Sequence, residues 1–149
     1  VFGTALNRFL IQAAIGHDMT VYGSGGQTRA FLNIKDTVRC VEIAAENPAD
    51  QGEFRVFNQF TESFSVQELA EKTKQAAKDL DIEASIKNIE NPRIENEDHY
   101  YNAVNTNLID LGLEPYLLTQ DVLKEILQEA LEHKDRIIVD NVLPKVTWK

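Results

Sequence analysis

Apolar and polar positions along the chain recur with two different periods. Helical spacing, with apolar residues every three or four positions, covers residues 5–15, 36–47, 66–80 and 119–131. Strand-like alternation covers residues 20–22, 29–34, 53–57 and 82–89. Up to residue 80 the order is therefore helix, strand, strand, helix, strand, helix, and this alternation predicts a mixed α/β fold.

The ends of the first two helices are marked by capping residues. Thr4 can cap a mostly apolar and therefore buried helix that Gly16 ends. Asp36 is predicted to cap the second helix, and Pro48 ends it because proline cannot continue a helix. Both helices should pack against the strands.

Three later segments also carry boundary signals. Ser65 and Glu68 have the spacing of a capping box at the start of an apolar helical stripe. Residues 108–113 predict a short helix that ends at a glycine, and Thr119 caps the last long helix. The tail from Asn141 to Lys149 is expected to form an extended arm.

The segment from Thr20 to Asp36 contains the most distinctive pattern. A short extended run leads into three glycines within four residues, and Gln27 and Arg29 follow at once. Glycines let a backbone approach a ligand closely, and an arginine guanidinium suits a phosphate group. The segment predicts a loop that holds part of an anionic ligand. The alternative is a β-hairpin with a glycine turn and a surface arginine.

Composition and charge limit the classes of function. The chain has 149 residues, 43% of them apolar and 26% charged, which is typical of a single globular domain. No apolar run is long enough to span a membrane. The net charge of −9 argues against a nucleic-acid partner. Cys40 is the only cysteine, so a reducing compartment such as the cytoplasm is expected.

Two arginines and one histidine are further candidates for a contact with a ligand or a metal ion. Arg8 lies in the first turns of a helix, where an anion is favoured, although a solvated side chain is the alternative. Arg93 lies among acidic residues and predicts either a ligand contact or a weak surface ion pair. His99 lies near Glu95 but lacks a second histidine at ligand spacing, so no metal site is predicted.

Several blocks of sequence carry a resemblance to a known family. Residues 1–9, residues 20–23 with 26–29, and residues 52–58 resemble the C-terminal part of extended short-chain dehydrogenases, the nucleotide-sugar epimerase and dehydratase family. Residues 91–93 with 99–102, the block 111–115 and the ending 144–148 resemble a narrower group, whose members add sulfite to a UDP-linked glucose. The resemblance runs over essentially the whole chain.

This resemblance implies a fold class and a domain organisation. The expected structure is α/β: the substrate-binding part of an extended short-chain dehydrogenase, of the NAD(P)-binding Rossmann-like superfamily, with the last strands and helices of the cofactor domain. The family's glycine-rich dinucleotide turn is absent, and none of the four tyrosines has a lysine four residues on. We therefore expect residues 1–149 to be one fragment without catalytic residues, inactive alone, whose NAD-binding half is absent.

The resemblance also assigns contacts to a nucleotide sugar. The first turn of the first helix would border the sugar and diphosphate, and the strand before the glycines would line the uracil. Side chains after the glycines and near residue 93 would reach the ribose and diphosphate. The assigned residues are Ala5, Leu6, Asn7, Arg8, Thr20, Val21, Tyr22, Gln27, Arg29, Arg93 and Glu95.

The implied reaction belongs to the whole protein. Bound NAD would oxidise the glucose of UDP-glucose at C4, water would leave across C5–C6, sulfite would add at C6, and the hydride would return to C4. Surfaces left bare by the absent half are expected to self-associate, as a homodimer or by exchange of an element. A UDP-sugar 4-epimerase or 4,6-dehydratase fragment remains an alternative, as does a non-catalytic α/β binding module.

Overall fold

A computed structural model describes residues 4–92 and 106–144. These residues form two compact units: the first comprises 4–28, 65–92 and 119–144, and the second 29–64 and 106–118. In chain order the elements are α1 (Ala5–Ala14), β1 (Met19–Tyr22), β2 (Thr28–Phe31), α2 (Ile34–Glu46), β3 (Glu62–Ser65), α3 (Val66–Asp79), β4 (Ile86–Ile89), α4 (Thr106–Asp110), α5 (Gln120–Glu132), a 3-10 turn (Lys134–Arg136) and α6 (Val139–Val142).

The first unit is built on three packed helices and a parallel strand pair. Helices α1, α3 and α5 contact one another, and α1 and α3 also pack on β1. Strand β1 pairs in parallel with β4, with Met19 opposite Ile86 and Tyr22 opposite Ile89. Its largest fully buried apolar side chains are Phe9, Leu10, Met19, Leu69, Leu123, Leu127, Val21 and Val142. Burying each large apolar side chain stabilises the fold by about 1.5–3 kcal/mol.

Side-chain caps start α1, α3 and α5, the long helices of this unit, as predicted. The Thr4 hydroxyl accepts the Asn7 N–H, and the Thr119 hydroxyl accepts the Val122 N–H. At α3 both halves of the capping box are present, between Ser65 and Glu68. The Glu68 carboxylate accepts the Ser65 N–H, and this bond lowers the pKa of Glu68.

The second unit has a smaller core. Helices α2 and α4 pack together around Cys40, Ile43, Leu108 and Leu113. The buried Asp36 carboxylate accepts the Tyr116 N–H with both oxygens, at 2.9 and 3.2 Å. Strands β2 and β3 form a second two-stranded sheet. Across both units, none of the described helices combines the length and hydropathy required to cross a bilayer.

The start of α2 differs from the prediction. The cap is Asn33, whose side chain accepts the Lys35 N–H, and the helix begins at Ile34. Asp36 lies inside the first turn, where its carboxylate is already bonded to the Tyr116 backbone. Because the helix starts one turn earlier, the strand expected over 29–34 ends at Phe31.

The strand predicted over residues 53–57 is absent from this structure. The segment pairs with no strand in the described part of the chain, and local polar contacts shape it. The Glu53 carboxylate accepts the Asp50 N–H and bonds to Arg55 at 2.7 and 2.9 Å. Alternation is not enough for a strand, since a strand also needs a partner for its N–H and C=O groups.

Three further expectations need correction. Strands β1 and β2 do not pair with each other, so the hairpin interpretation of the glycine segment is wrong. The strand expected over 82–89 is limited to Ile86–Ile89, the part opposite β1. Asn141 and Val142 belong to α6 rather than to an extended arm, and residues 145–149 lie outside the described residues.

Candidate functional site

The candidate site lies where α1 begins and β1 ends, within the first unit. Ala5, Leu6, Asn7 and Arg8 form the first turn of α1, behind the Thr4 cap. Leu6 is buried, while Asn7 is exposed and Arg8 is half-buried. No acidic residue lies in this first turn, so the positive end of the helix dipole is not neutralised locally.

Arg8 connects α1 to β1. Its Nη2 donates to the Thr20 carbonyl oxygen at 2.8 Å, and its guanidinium carbon lies 5.5 Å from the Phe9 ring centre and 5.3 Å from that of Tyr22. Burial lowers the pKa of the Arg8 guanidinium, and the neighbouring Tyr22 side chain partly opposes this shift. The cation lies within cation–π distance of both rings, and such contacts are worth about 0.5–2 kcal/mol each.

Two polar atoms beside this contact are buried and have no hydrogen-bond partner among the residues that the structure describes: Nε of Arg8 and the hydroxyl oxygen of Tyr22. Leaving such an atom without a partner costs about 1–3 kcal/mol. An unpaired donor on a buried cation is consistent with a ligand that completes the pairing.

The predicted uracil strand is held by side chains of α1. The Thr20 N–H donates to Oε1 of Gln12 at 3.0 Å, and the Thr20 hydroxyl accepts from Nε2 of Gln12 at 3.0 Å. Gln12 is fully buried, and the sequence reasoning assigned it no role. The available signal was an amide side chain directly between the apolar residues Ile11 and Ala13 of α1.

The glycine segment is fastened to the start of α3. Gly25 has φ +74°, and a Cβ there would lie 2.7 Å from Cγ1 of Val21 and 3.0 Å from the Gln67 nitrogen. The Gln67 N–H donates to the Gly25 carbonyl oxygen at 2.9 Å, and the Val66 N–H donates to that of Gln27 at 3.2 Å. Only glycine fits this position, since both the backbone angle and the close approach exclude a side chain.

The remaining predicted residues are not all brought to this place. Gln27 is half-buried beside the start of α3, and Arg29 is exposed on β2 in the second unit. Arg93 and Glu95 lie outside the described residues, as does His99. In residues 4–92 and 106–144, no group of His, Cys, Asp and Glu side chains is arranged to hold a metal ion. The structure therefore brings together the contacts from α1, β1 and the glycine segment.

Comparison with known proteins supports the family resemblance. Residues 3–58 match the family model described as the NAD dependent epimerase/dehydratase family. The whole chain aligns at 54% identity with the chloroplastic UDP-sulfoquinovose synthase of Spinacia oleracea, covering 31% of that protein. It aligns at 40% identity with the UDP-sulfoquinovose synthase of Sulfolobus acidocaldarius, covering 38% of it. The chain thus spans about a third of the length of these relatives.

Solved structures share the fold of the chain. A UDP-glucuronic acid 4-epimerase from Bacillus cereus, in complex with NAD and a UDP-sugar, superimposes with a TM-score of 0.68 at 21% identity, over 87% of this chain and 40% of that one. A UDP-N-acetylglucosamine 4-epimerase from Methanobrevibacter ruminantium gives 0.62 at 20% identity, over 88% and 39%. The predicted fold class is confirmed: the chain has the mixed α/β fold of extended short-chain dehydrogenases. The two synthases also confirm the narrower resemblance.

Proposed function

We propose that this chain is the nucleotide-sugar-binding part of a UDP-sulfoquinovose synthase, which forms UDP-sulfoquinovose from UDP-glucose and sulfite with bound NAD. The observation that carries the proposal is the identity of 54% with such an enzyme over the entire chain. The site is consistent with it, because the half-buried Arg8 guanidinium, which forms no ion pair with a carboxylate among the described residues, lies at a helix start in a chain of net charge −9.

The proposed roles of the individual residues are those that the family resemblance implies. The segment from Thr20 to Tyr22 lines the uracil, and the first turn of α1 borders the sugar and diphosphate. Arg29 and Arg93 reach the diphosphate together with Gln27, and Glu95 faces the ribose or the surroundings of the second phosphate. NAD and the catalytic tyrosine and lysine belong to sequence outside these residues, so residues 1–149 alone bind but do not turn over substrate.

The geometry of the arginine side chain explains why arginines are proposed to bind the diphosphate. A guanidinium presents a planar fork of donors that matches two phosphate oxygens, and such charge-assisted bonds are the stronger class. An acidic protein repels a free diphosphate at a distance, so its affinity depends on a few well-placed cations. The proposed localisation is the chloroplast stroma for a plant source and the cytoplasm otherwise.

Calorimetric titration of the complete enzyme with UDP tests the proposal. Wild-type protein should bind UDP, while Arg29→Ala and Arg93→Ala should each lose about 1.5–3 kcal/mol of UDP binding energy and little NAD binding. Arg39→Ala is the matched control, because Arg39 is an exposed arginine paired with Glu42 on α2. Absence of UDP binding in the wild-type protein refutes the proposal.

A UDP-sugar 4-epimerase or 4,6-dehydratase is the second candidate, since the superimposed structures include 4-epimerases. Product analysis separates the candidates. With UDP-glucose and sulfite, the synthase yields a sulfonated sugar nucleotide only when sulfite is present. An epimerase yields UDP-galactose without sulfite, and a dehydratase yields a 4-keto sugar. Either sulfite-independent product as the sole outcome contradicts the synthase.

A further inference from the structure

Gln12 is a fully buried polar side chain of the first unit, and its amide is bonded on both sides. Its amide makes three hydrogen bonds while fully buried: Oε1 accepts the Thr20 N–H, and Nε2 donates to the Thr20 hydroxyl and to the Val142 carbonyl oxygen at 3.1 Å. An amide side chain offers both a donor and an acceptor, and no apolar residue of similar size can replace it.

These bonds cover one edge of β1. Met19 and Gly23 donate their N–H groups to the β4 side, at Ser85 and Ile89. Successive residues of a parallel strand face opposite neighbours, so Thr20 and Tyr22 face the other edge. There the Thr20 N–H is bound by Gln12 and its carbonyl by Arg8, so two side chains of α1 occupy the place of a neighbouring strand.

The bonds to Thr20 also determine where the N–H and C=O groups of Tyr22 lie, on the same edge of β1. Tyr22 follows Thr20 by two residues, about 6.6 Å along the strand. Its N–H and C=O are therefore positioned by the Thr20 anchor. Under the proposed function, Thr20 to Tyr22 line the base of the nucleotide, so a shift of Thr20 displaces the groups that contact the base.

The same side chain also reaches the other end of the chain. Val142 lies in α6, 130 residues beyond Gln12, and its carbonyl accepts the second Nε2 hydrogen. One amide therefore holds the predicted base-binding strand and the C-terminal helix together.

We infer that Gln12 is a positioning residue for nucleotide binding, which acts by anchoring Thr20 of β1 to α1 and α6. The inference rests on the proposed function. A merely structural role predicts that loss of the amide lowers stability and leaves the affinity for UDP unchanged. A positioning role predicts that UDP affinity falls in molecules that are still folded.

The test compares Gln12→Met with Thr73→Val in the complete enzyme. Thr73 is also fully buried in the first unit, and in the described part of the chain its hydroxyl bonds only within its own helix, to the Leu69 carbonyl oxygen. Urea unfolding measures the stability of each variant, and calorimetry measures the Kd for UDP. Both variants should be less stable than wild type, but only Gln12→Met should bind UDP about tenfold more weakly.

Steady-state kinetics supplies a second readout. Gln12→Met should raise KM for UDP-glucose, while kcat at saturation stays within about twofold of wild type. The reason is that the reacting atoms of the sugar lie away from the uracil. Unchanged UDP affinity in Gln12→Met, or an equal loss in Thr73→Val, overturns the inference. If the wild-type enzyme fails to bind UDP, the proposed function itself is wrong and the inference falls with it.

If Gln12→Met does not fold, two milder substitutions of Thr20 test the same inference. Thr20→Val keeps the shape of the side chain and loses the hydroxyl that Gln12 donates to, while Thr20→Ser keeps the hydroxyl. Weaker UDP binding by Thr20→Val than by Thr20→Ser supports the inference. Equal affinities overturn it.

Discussion

At the scale of single residues, the surroundings of the Arg8 guanidinium differ from the usual ion pair, in which the partner of the cation is a carboxylate. Arg8 is held by the Thr20 carbonyl and by the rings of Phe9 and Tyr22. A planar guanidinium suits this arrangement, since it can stack on a ring while donating in its own plane. A lysine ammonium has no such plane.

We therefore expect Arg8→Lys to destabilise the fold although the charge is kept. Loss of the fork geometry and of stacking should lower the free energy of unfolding by about 1–3 kcal/mol, measured by urea denaturation. Arg39→Lys is the control, because Arg39 is largely exposed, and it should change stability by less than about 0.5 kcal/mol. Equal stabilities of Arg8→Lys and wild type would contradict the role given to the guanidinium plane.

A second contact at the scale of single residues, between Glu53 and Arg55, predicts that the stability of the fold depends on pH. Bonds from Arg55, and then from the Asp50 N–H, lower the pKa of Glu53 to about 2. A folded pKa below the unfolded value stabilises the fold above about pH 4.3, and this contribution is lost as the pH falls toward the folded pKa. NMR titration of the Glu53 carboxyl should show its low pKa in wild type and a higher one in Arg55→Met. An unchanged pKa in the variant would exclude Arg55 as the main cause.

At the scale of elements, the glycine segment acts through its fit against α3. Gly25 has a positive φ, and its carbonyl receives the Gln67 N–H from the first turn of that helix. The neighbouring Gly26 has neither constraint, since the closest atom to a Cβ there is the Ser24 hydroxyl oxygen at 3.6 Å. The two adjacent glycines therefore provide a matched pair of substitutions.

Gly25→Ala should lower the free energy of unfolding by roughly 1–3 kcal/mol, because a side chain is strained at this φ and meets Val21 and Gln67. Gly26→Ala should be close to neutral, or slightly stabilising through the unfolded state. Chemical denaturation of both variants measures the difference. Equal effects would show that the close packing of Gly25 against α3 is unimportant.

At the scale of the whole molecule, the exposed apolar residues identify surfaces that other chain segments could cover. Helix α2 exposes Ile34, Val38 and Val41 on one face, at 75%, 59% and 59%, and Phe54 in the same unit is 89% exposed. Phe9 of α1, by contrast, is fully buried in the first unit. The predicted bare surface therefore belongs to the second unit.

We expect the 149-residue chain to self-associate through this α2 face at micromolar concentration, because an apolar face of this kind is favourable to bury. Light scattering should show a species larger than the monomer for wild type and a smaller one for Val38→Lys. Ile126→Lys on α5, at a comparably apolar but isolated exposed position, is the control and should leave the mass unchanged. A wild-type monomer would refute the expectation.

The sequence by itself determined the elements whose signals are local. Thr4, Ser65 with Glu68, and Thr119 cap the helices as predicted, because a capping side chain bonds to an N–H only two or three residues away. The apolar stripe of α3 likewise faces the core, since helical spacing alone places those residues on one side. The residue pattern indicated the glycine segment of the candidate site, and the resemblance assigned the preceding strand to the uracil.

Only the tertiary structure decided which strands pair and which polar groups meet. Residues 53–57 alternate like a strand yet lack a partner among the described residues, while β1 pairs with the distant β4. Asp36 bonds to a backbone 80 residues away instead of capping its helix, and Gln12 bonds to Val142. The physical reason is common to these cases: a hydrogen bond between distant segments depends on how the chain folds back, and sequence periodicity contains no record of that partner.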